Sequence, residues 1–182
     1  MSGPLLRDKN DIKIFILYLM RHIGYPLPYH DIDAIVRQDG IVDLPSFSEC
    51  FAELMETGNV CETMEAGGAC YVITEQGIHV ADNLQSSLLE LIRTTSLQSA
   101  LRMLSFQKRG CRCVTEEGIS PDGRRMLTCT ILEHETVLLS VTIKVESAEQ
   151  LAEMKRNFYK RPEVIFRGAM ALLSGEMNYI VG

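Results

Sequence analysis

The chain has 182 residues, 46% hydrophobic and 23% charged, enough for one large domain or two small ones with a core and against wholesale disorder. Its net charge of −6 is uneven: residues 1–80 carry five Lys/Arg against twelve Asp/Glu, residues 81–182 thirteen against twelve. No apolar run reaches the ~18 residues that cross a bilayer, and the opening MSGPLLRDKND lacks the charged, apolar and cleavage regions of a signal peptide, so a cytoplasmic protein without a membrane partner is expected.

Residues 8–22 carry apolar side chains at 12, 14–17, 19 and 20, which predicts a helix buried on more than one side. Asp8 and Asp11 suit its first turn, Arg21 and His22 its last, and Gly24 ends it. After Pro26 and Pro28, residues 29–38 place Ile32, Ile35 and Val36 on one face of a second helix, closed by an Asp39-Gly40 turn. Ser46 with Glu49 reads as a capping box opening a third helix, with Phe47, Cys50, Phe51, Leu54 and Met55 buried and Gly58 at its end. Two β-rich runs around Glu65-Ala-Gly-Gly predict a hairpin, and Thr74 then caps a helix through Leu84. Helix, helix, helix, hairpin, helix is the winged-helix order, in which the third helix enters the major groove.

Leu84, Leu88, Leu91 and Ile92 continue a helix that Thr94-Thr95-Ser96 is placed to break, with Leu97, Leu101 and Leu104 beyond. Such a helix either pairs two subunits or packs on its own domain. Residues 111–117, 125–133 and 137–145 then alternate with period two, the last with Val137, Leu139, Val141, Ile143 and Val145 on one side, which predicts an antiparallel meander. Ser147 with Gln150 caps a helix, and Pro162 and Gly175 bound another. The fold class is therefore α+β: a winged-helix domain over 1–83, connecting or dimerisation helices over 84–109, and an α+β domain for effector binding or assembly over 110–182.

The run DKNDIKIFILYLMRHIGYPLPYHDI, the segment SFSECFAELMETG and then YVITEQG together resemble an uncharacterised bacterial family of this overall length, whose members are described as winged-helix-like and as candidate transcriptional regulators. YVITEQG is also similar to the wing exit of multidrug-resistance and phenolic-acid-type repressors, where an aromatic-x-Leu/Ile-Thr-x-x-Gly stretch joins wing to helix. The first likeness spans nearly the whole chain and implies no activity. The second spans residues 8–82 and implies DNA binding, through a motif that is structural and contacts no base.

A DNA-reading third helix would present Ser46, Ser48, Glu49, Ala52, Glu53 and Glu56. The serines suit phosphate or base edges, and Thr63 on the wing with His30 and Arg37 on the second helix complete the candidate set. Three glutamates on that face oppose phosphate, and a base-free wing tip does not offset them. The rival expectation is a winged-helix adaptor that binds a protein through the same acidic face. A second candidate phosphate surface is basic: Arg102, Lys108, Arg109 and Arg112; Arg124 and Arg125; Lys155, Arg156, Lys160 and Arg161. It requires the three groups to converge; otherwise they are solvated faces.

No catalytic residue, metal or cofactor is expected. The four histidines are scattered, no Cys-x-x-Cys occurs, and the glycines form neither a dinucleotide fingerprint nor a P-loop. Glu116-Glu117 and Glu133-x-Glu135 read as solvated strand-end carboxylates. A Cys61–Cys70 pairing across the hairpin and oxidation sensing at Cys111, Cys113 and Cys129 stand beside the plainer role of cysteine as a small core residue. A homodimer is expected, with DNA or a protein as partner.

Overall fold

A computed structural model describes residues 5–38 and 40–175. Asp39 of the expected Asp39-Gly40 turn, and the first four residues of the stretch read for a signal peptide, lie outside the described residues. The described residues form seven α-helices and five strands in α+β arrangement. The chain divides into two units, Met1–Leu101 and Arg102–Gly182. Among the described residues no helix is long and apolar enough to cross a membrane.

The first unit is built on α1 (Lys9–Ile23), whose Ile12, Phe15, Ile16, Leu17 and Leu19 are fully buried. The Asp8 carboxylate caps it, accepting from the Asn10 and Asp11 N–H groups, and Gly24 ends it in the left-handed conformation. Helix α2 (Tyr29–Arg37) buries Ile32, Ile35 and Val36; α3 (Leu44–Glu56) buries Phe47, Cys50, Phe51 and Leu54. Strands β1 (Val60–Glu65) and β2 (Gly68–Ile73) pair antiparallel around Ala66 and Gly67, and Leu27 adds a bridge to Tyr71. Cys61 lies opposite Val72 and Cys70 opposite Thr63, so the two cysteines are not cross-strand partners, and all six cysteines are free.

Two boundaries differ from expectation. Helix α3 starts earlier than the Ser46 capping box predicts: Asp43 is the N-cap, its carboxylate accepts from the Ser46 N–H at 2.8 Å, and Pro45 suits the first turn, where no N–H is needed. The break expected at Thr94-Thr95-Ser96 falls instead at a 3-10 turn, Gln85–Ser87, and α5 (Glu90–Lys108) runs unbroken. The Thr94 and Thr95 hydroxyls donate to the carbonyls of Glu90 and Leu91 one turn back, a bond compatible with continuous helix.

The YVITEQG segment is a clamp at the start of α4 (Glu75–Leu84). The Thr74 hydroxyl donates to the Gly58 carbonyl at 2.8 Å and accepts from the Gly77 N–H, while the Gln76 amide donates to the Thr57 carbonyl at 3.1 Å. A Cβ on Gly77 would stand 2.2 Å from the Asn59 carbonyl oxygen, so only glycine lets α4 approach the end of α3 this closely.

The second unit is an antiparallel sheet of β3 (Cys111–Ile119), β4 (Arg125–Glu133) and β5 (Thr136–Val145) in that order. Helices α6 (Ala148–Lys160) and α7 (Pro162–Leu173) follow. Ser147 caps α6 as expected, while the Gln150 side chain accepts from the Glu146 N–H. Phe106, Ile131 and Phe158 form one buried cluster; Leu127, Val145 and Leu151 form another. The alternation along β5 is interrupted. Ile131 pairs with Leu139 but Leu132 with Val137, so Leu138 is an extra residue, a β-bulge. Val137 is thereby 56% exposed instead of sharing the buried side, while Leu138 packs on the Phe106 cluster.

Candidate nucleic-acid interface

An aromatic cluster seats α3. Tyr29 at the start of α2 lies 5.5 Å from Phe47 and 5.2 Å from Phe51, and Phe51 lies 5.3 Å from Tyr71 of β2, centroid to centroid. With Phe47, Cys50, Phe51 and Leu54 turned inward, Leu44, Ser48, Ala52 and Glu56 are exposed. The Tyr29 hydroxyl donates to the Ser48 hydroxyl at 3.4 Å.

Two of the three glutamates of α3 are paired. Glu49 is bonded to Lys9, and Glu53 lies 3.0 Å from Lys13 and 3.7 Å from Lys9. The hydrogen bond to Glu49 holds the Lys9 ammonium above its ordinary range, and the one from Lys13 holds the Glu53 carboxyl below its own. Arg21 is paired with Asp82 at 3.4 Å, and Arg37 donates through two nitrogens to Asp33 one turn back, which raises the arginine further. The Arg93 guanidinium lies 5.8 Å from the Tyr18 ring centroid and donates to Gln85.

The candidate DNA-binding residues are therefore placed unequally. Ser48 is exposed on α3 beside Tyr29, and His30 is 78% exposed with its Nε2 3.1 Å from Asp31. Ser46 is half-buried, with its backbone N–H on the Asp43 cap. Thr63 is half-buried in mid-strand opposite Cys70, and Arg37, in the last turn of α2, is held by Asp33. On the β1–β2 hairpin the conspicuous side chain is Met64, 74% exposed between Glu62 and Glu65. Sequence reasoning missed Tyr29, Leu44 and Met64 on this surface. It also missed the Lys9 and Lys13 pairings, which span 40 residues and leave no local signal.

In the second unit four of the candidate basic residues are tied to acids at strand ends or in the β3–β4 turn. Arg109 lies 2.6 Å from Glu133, Arg112 3.5 Å from Glu135, Arg124 3.6 Å from Asp122 and Lys155 2.6 Å from Glu117. Lys144, absent from the candidate set, also reaches Asp122 at 3.0 Å. The register Cys111↔Glu133 and Ile119↔Arg125 sets Arg109 and Arg112 at one end of the sheet and Arg124 and Arg125 at the other. At ~3.3 Å per residue those ends are about 26 Å apart. Arg102 and Lys108 sit on α5, Arg156 and Lys160 on α6, and Arg161 at the α6–α7 junction. The ten do not form one patch.

The same pairs engage Glu117, Glu133 and Glu135 of the strand-end acids. Burial pushes the Cys111 and Cys129 thiols up, and Cys113 up to about 11, which disfavours the reactive thiolate. Among the described residues no group of three or more His, Cys, Asp or Glu could hold a metal ion.

The chain belongs to the family described as Domain of unknown function (DUF4364), whose model matches residues 12–173. No curated protein matches it. Among solved structures it is similar to that titled "Crystal structure of SSV1 F-93", at 19% identity and a TM-score of 0.38 over 47% of this chain and 91% of that one, a likeness too slight to bear on fold or ligand.

Proposed function

We propose that this chain is a cytoplasmic, non-enzymatic regulator of the winged-helix type that binds DNA as a homodimer. The observation that carries the reading is the exposed ridge of α3, held by the aromatic cluster beside a two-stranded wing. In a major groove Ser48 would meet base edges and Ala52 a thymine methyl, with Ser46, His30 and Thr63 at the flanks. Exposed ion pairs are worth little, so Lys9 and Lys13 can leave their glutamates for phosphates. Arg37 contributes only if Asp33 releases it. The exposed leucines of α5, Leu91 and Leu101, are the proposed dimer contacts.

The test is fluorescence anisotropy with fragmented DNA from the organism's own genome at two salt concentrations. With two lysines per subunit reaching phosphate, log Kd should change by about 2 per decade of salt for one subunit's contacts, a shallow dependence. Lys9→Ala with Lys13→Ala should flatten it. No binding at low salt overturns the reading.

A second reading rests on the acidic surplus of residues 1–80 and on the partly apolar surface of Leu44, Ser48, Ala52 and Met64, bordered by exposed Glu56, Glu62 and Glu65. It is a winged-helix adaptor for a protein partner. Its test is crosslinking in lysate with the natural chain and with Leu44→Asp. A specific partner lost on that substitution, together with no DNA binding, favours the adaptor.

A further inference from the structure

The second unit contains a cavity of about 280 Å³ between the sheet and its two helices. Its floor is the inward side of β4 and β5, including Cys129, Val141 and Ile143. Met154 and Phe158 of α6 form one wall, Ile165 and Ala169 of α7 the other. The cavity has a local cause. Helix α6 lies across all three strands, whereas α7 packs chiefly on α6. The α7 residues that line it are Ile165 and the small Ala169, and Ile143 on the inward face of β5 is left 40% exposed.

Protein interiors are close-packed, with few voids larger than a water molecule. An enclosed void of ~150 Å³ lined by aliphatic groups stays dry and takes up benzene; this one is nearly twice that size and opens to solvent on one side. None of the nine described residues that line it carries a charge, and among them Asn157, exposed at the rim, is the one with an amide to offer. A charged ligand would lose its hydration without compensation, whereas an uncharged one would bury apolar surface and meet one donor–acceptor group.

We infer that this cavity is a binding site for an uncharged, mainly apolar small molecule, about the size of two fused rings, with one hydroxyl or carbonyl directed at Asn157. It is independent of the nucleic-acid reading, since every lining residue lies in the second unit.

The probe is 2-naphthol, titrated into the full chain and followed by its own fluorescence; the chain has no tryptophan to interfere. Saturable one-site binding with a Kd below about 100 μM is expected for a ligand of this size. Charged 2-naphthoate should bind at least about tenfold more weakly. Ala169→Leu and Val141→Phe, which fill the cavity from opposite sides, should each weaken 2-naphthol binding by about tenfold or more with circular dichroism unchanged. If one variant fails to fold, the other is read. Asn157→Leu should abolish the preference for 2-naphthol over naphthalene. The inference is overturned if 2-naphthol shows no saturation up to about 1 mM, if the folded cavity-filling variants bind as well as the natural chain, or if 2-naphthoate binds as tightly.

Discussion

The two units solve the burial problem differently. Among the described residues, of the twelve largest fully buried side chains nine belong to the first unit, among them Phe15 and Phe47, and three to the second, Leu127, Ile131 and Phe158. The first unit surrounds one central helix, α1. The second covers a three-stranded sheet with one well-seated helix, leaves a cavity beside the other, and exposes Met170, Leu172 and Leu173 on α7. A dense core suits a surface that must be presented without deformation, such as the α3 ridge. A loose one suits uptake of something else, because adding a ligand there displaces no packed side chain.

The contrast can be tested by mutation. The largest expected effect is Phe15→Ala, which should destabilise the first unit by about 3–5 kcal/mol, while Leu139→Ala at the half-exposed cavity floor should cost less than about 2 kcal/mol. Equal losses in urea denaturation would erase the distinction between the cores. Next is Gly77→Ala, where a methyl group meets a backbone oxygen that cannot withdraw. A loss of about 1–3 kcal/mol is expected, with α4 displaced from α3. A neutral substitution in thermal melts would show that the clamp is not rigid.

Acid should weaken both units in the same direction. Asp43 and Glu53 in the first, and Asp122 and Glu133 in the second, are held below the usual carboxylate range by the Ser46 N–H, Lys13, Ser120 and Arg109 respectively. Their folded values lie below the unfolded ones, so their stabilisation is fully present above the unfolded range of about 4 and is lost as pH falls through the folded values. Melting temperature should drop below about pH 4, and Asp43→Asn with Glu133→Gln should make the drop less steep. The smallest effect is chemical. Iodoacetamide at about pH 8 should label exposed Cys61 first and, of the three cysteines on β3 and β4, Cys113 last, because burial withholds its thiolate. Mass mapping that finds Cys113 labelled early would show the second core to be open even beside β3.

Much of the architecture was legible because its signals are local. The period of two placed β4 with its observed limits, and the Thr74 and Ser147 caps were read from neighbouring residues. The misses are physical in kind. Asp43 out-competed Ser46 as a cap because Pro45 removes an N–H from the first turn, and the threonines of α5 satisfied themselves by back-bonding. The β5 bulge depends on a partner strand, and the charge state of the α3 face depends on lysines 40 residues upstream. Of the candidate site, Ser48 and His30 were readable as exposed positions, whereas the engagement of Arg37 by Asp33 at one-turn spacing was available in the sequence and went unused. The cavity had no sequence signature, since it results from α7 packing on α6 and leaving part of the sheet uncovered.

The extra residue at Leu138 also bears on how copies of this chain could meet. An edge strand recruits another chain by offering a straight, evenly spaced row of backbone donors and acceptors. β5 is such an edge by position, but its bulge bends it and breaks the spacing. Strand-to-strand growth from that side is therefore discouraged by the backbone itself, and in this sheet β3 is the edge better suited to pairing with a second copy.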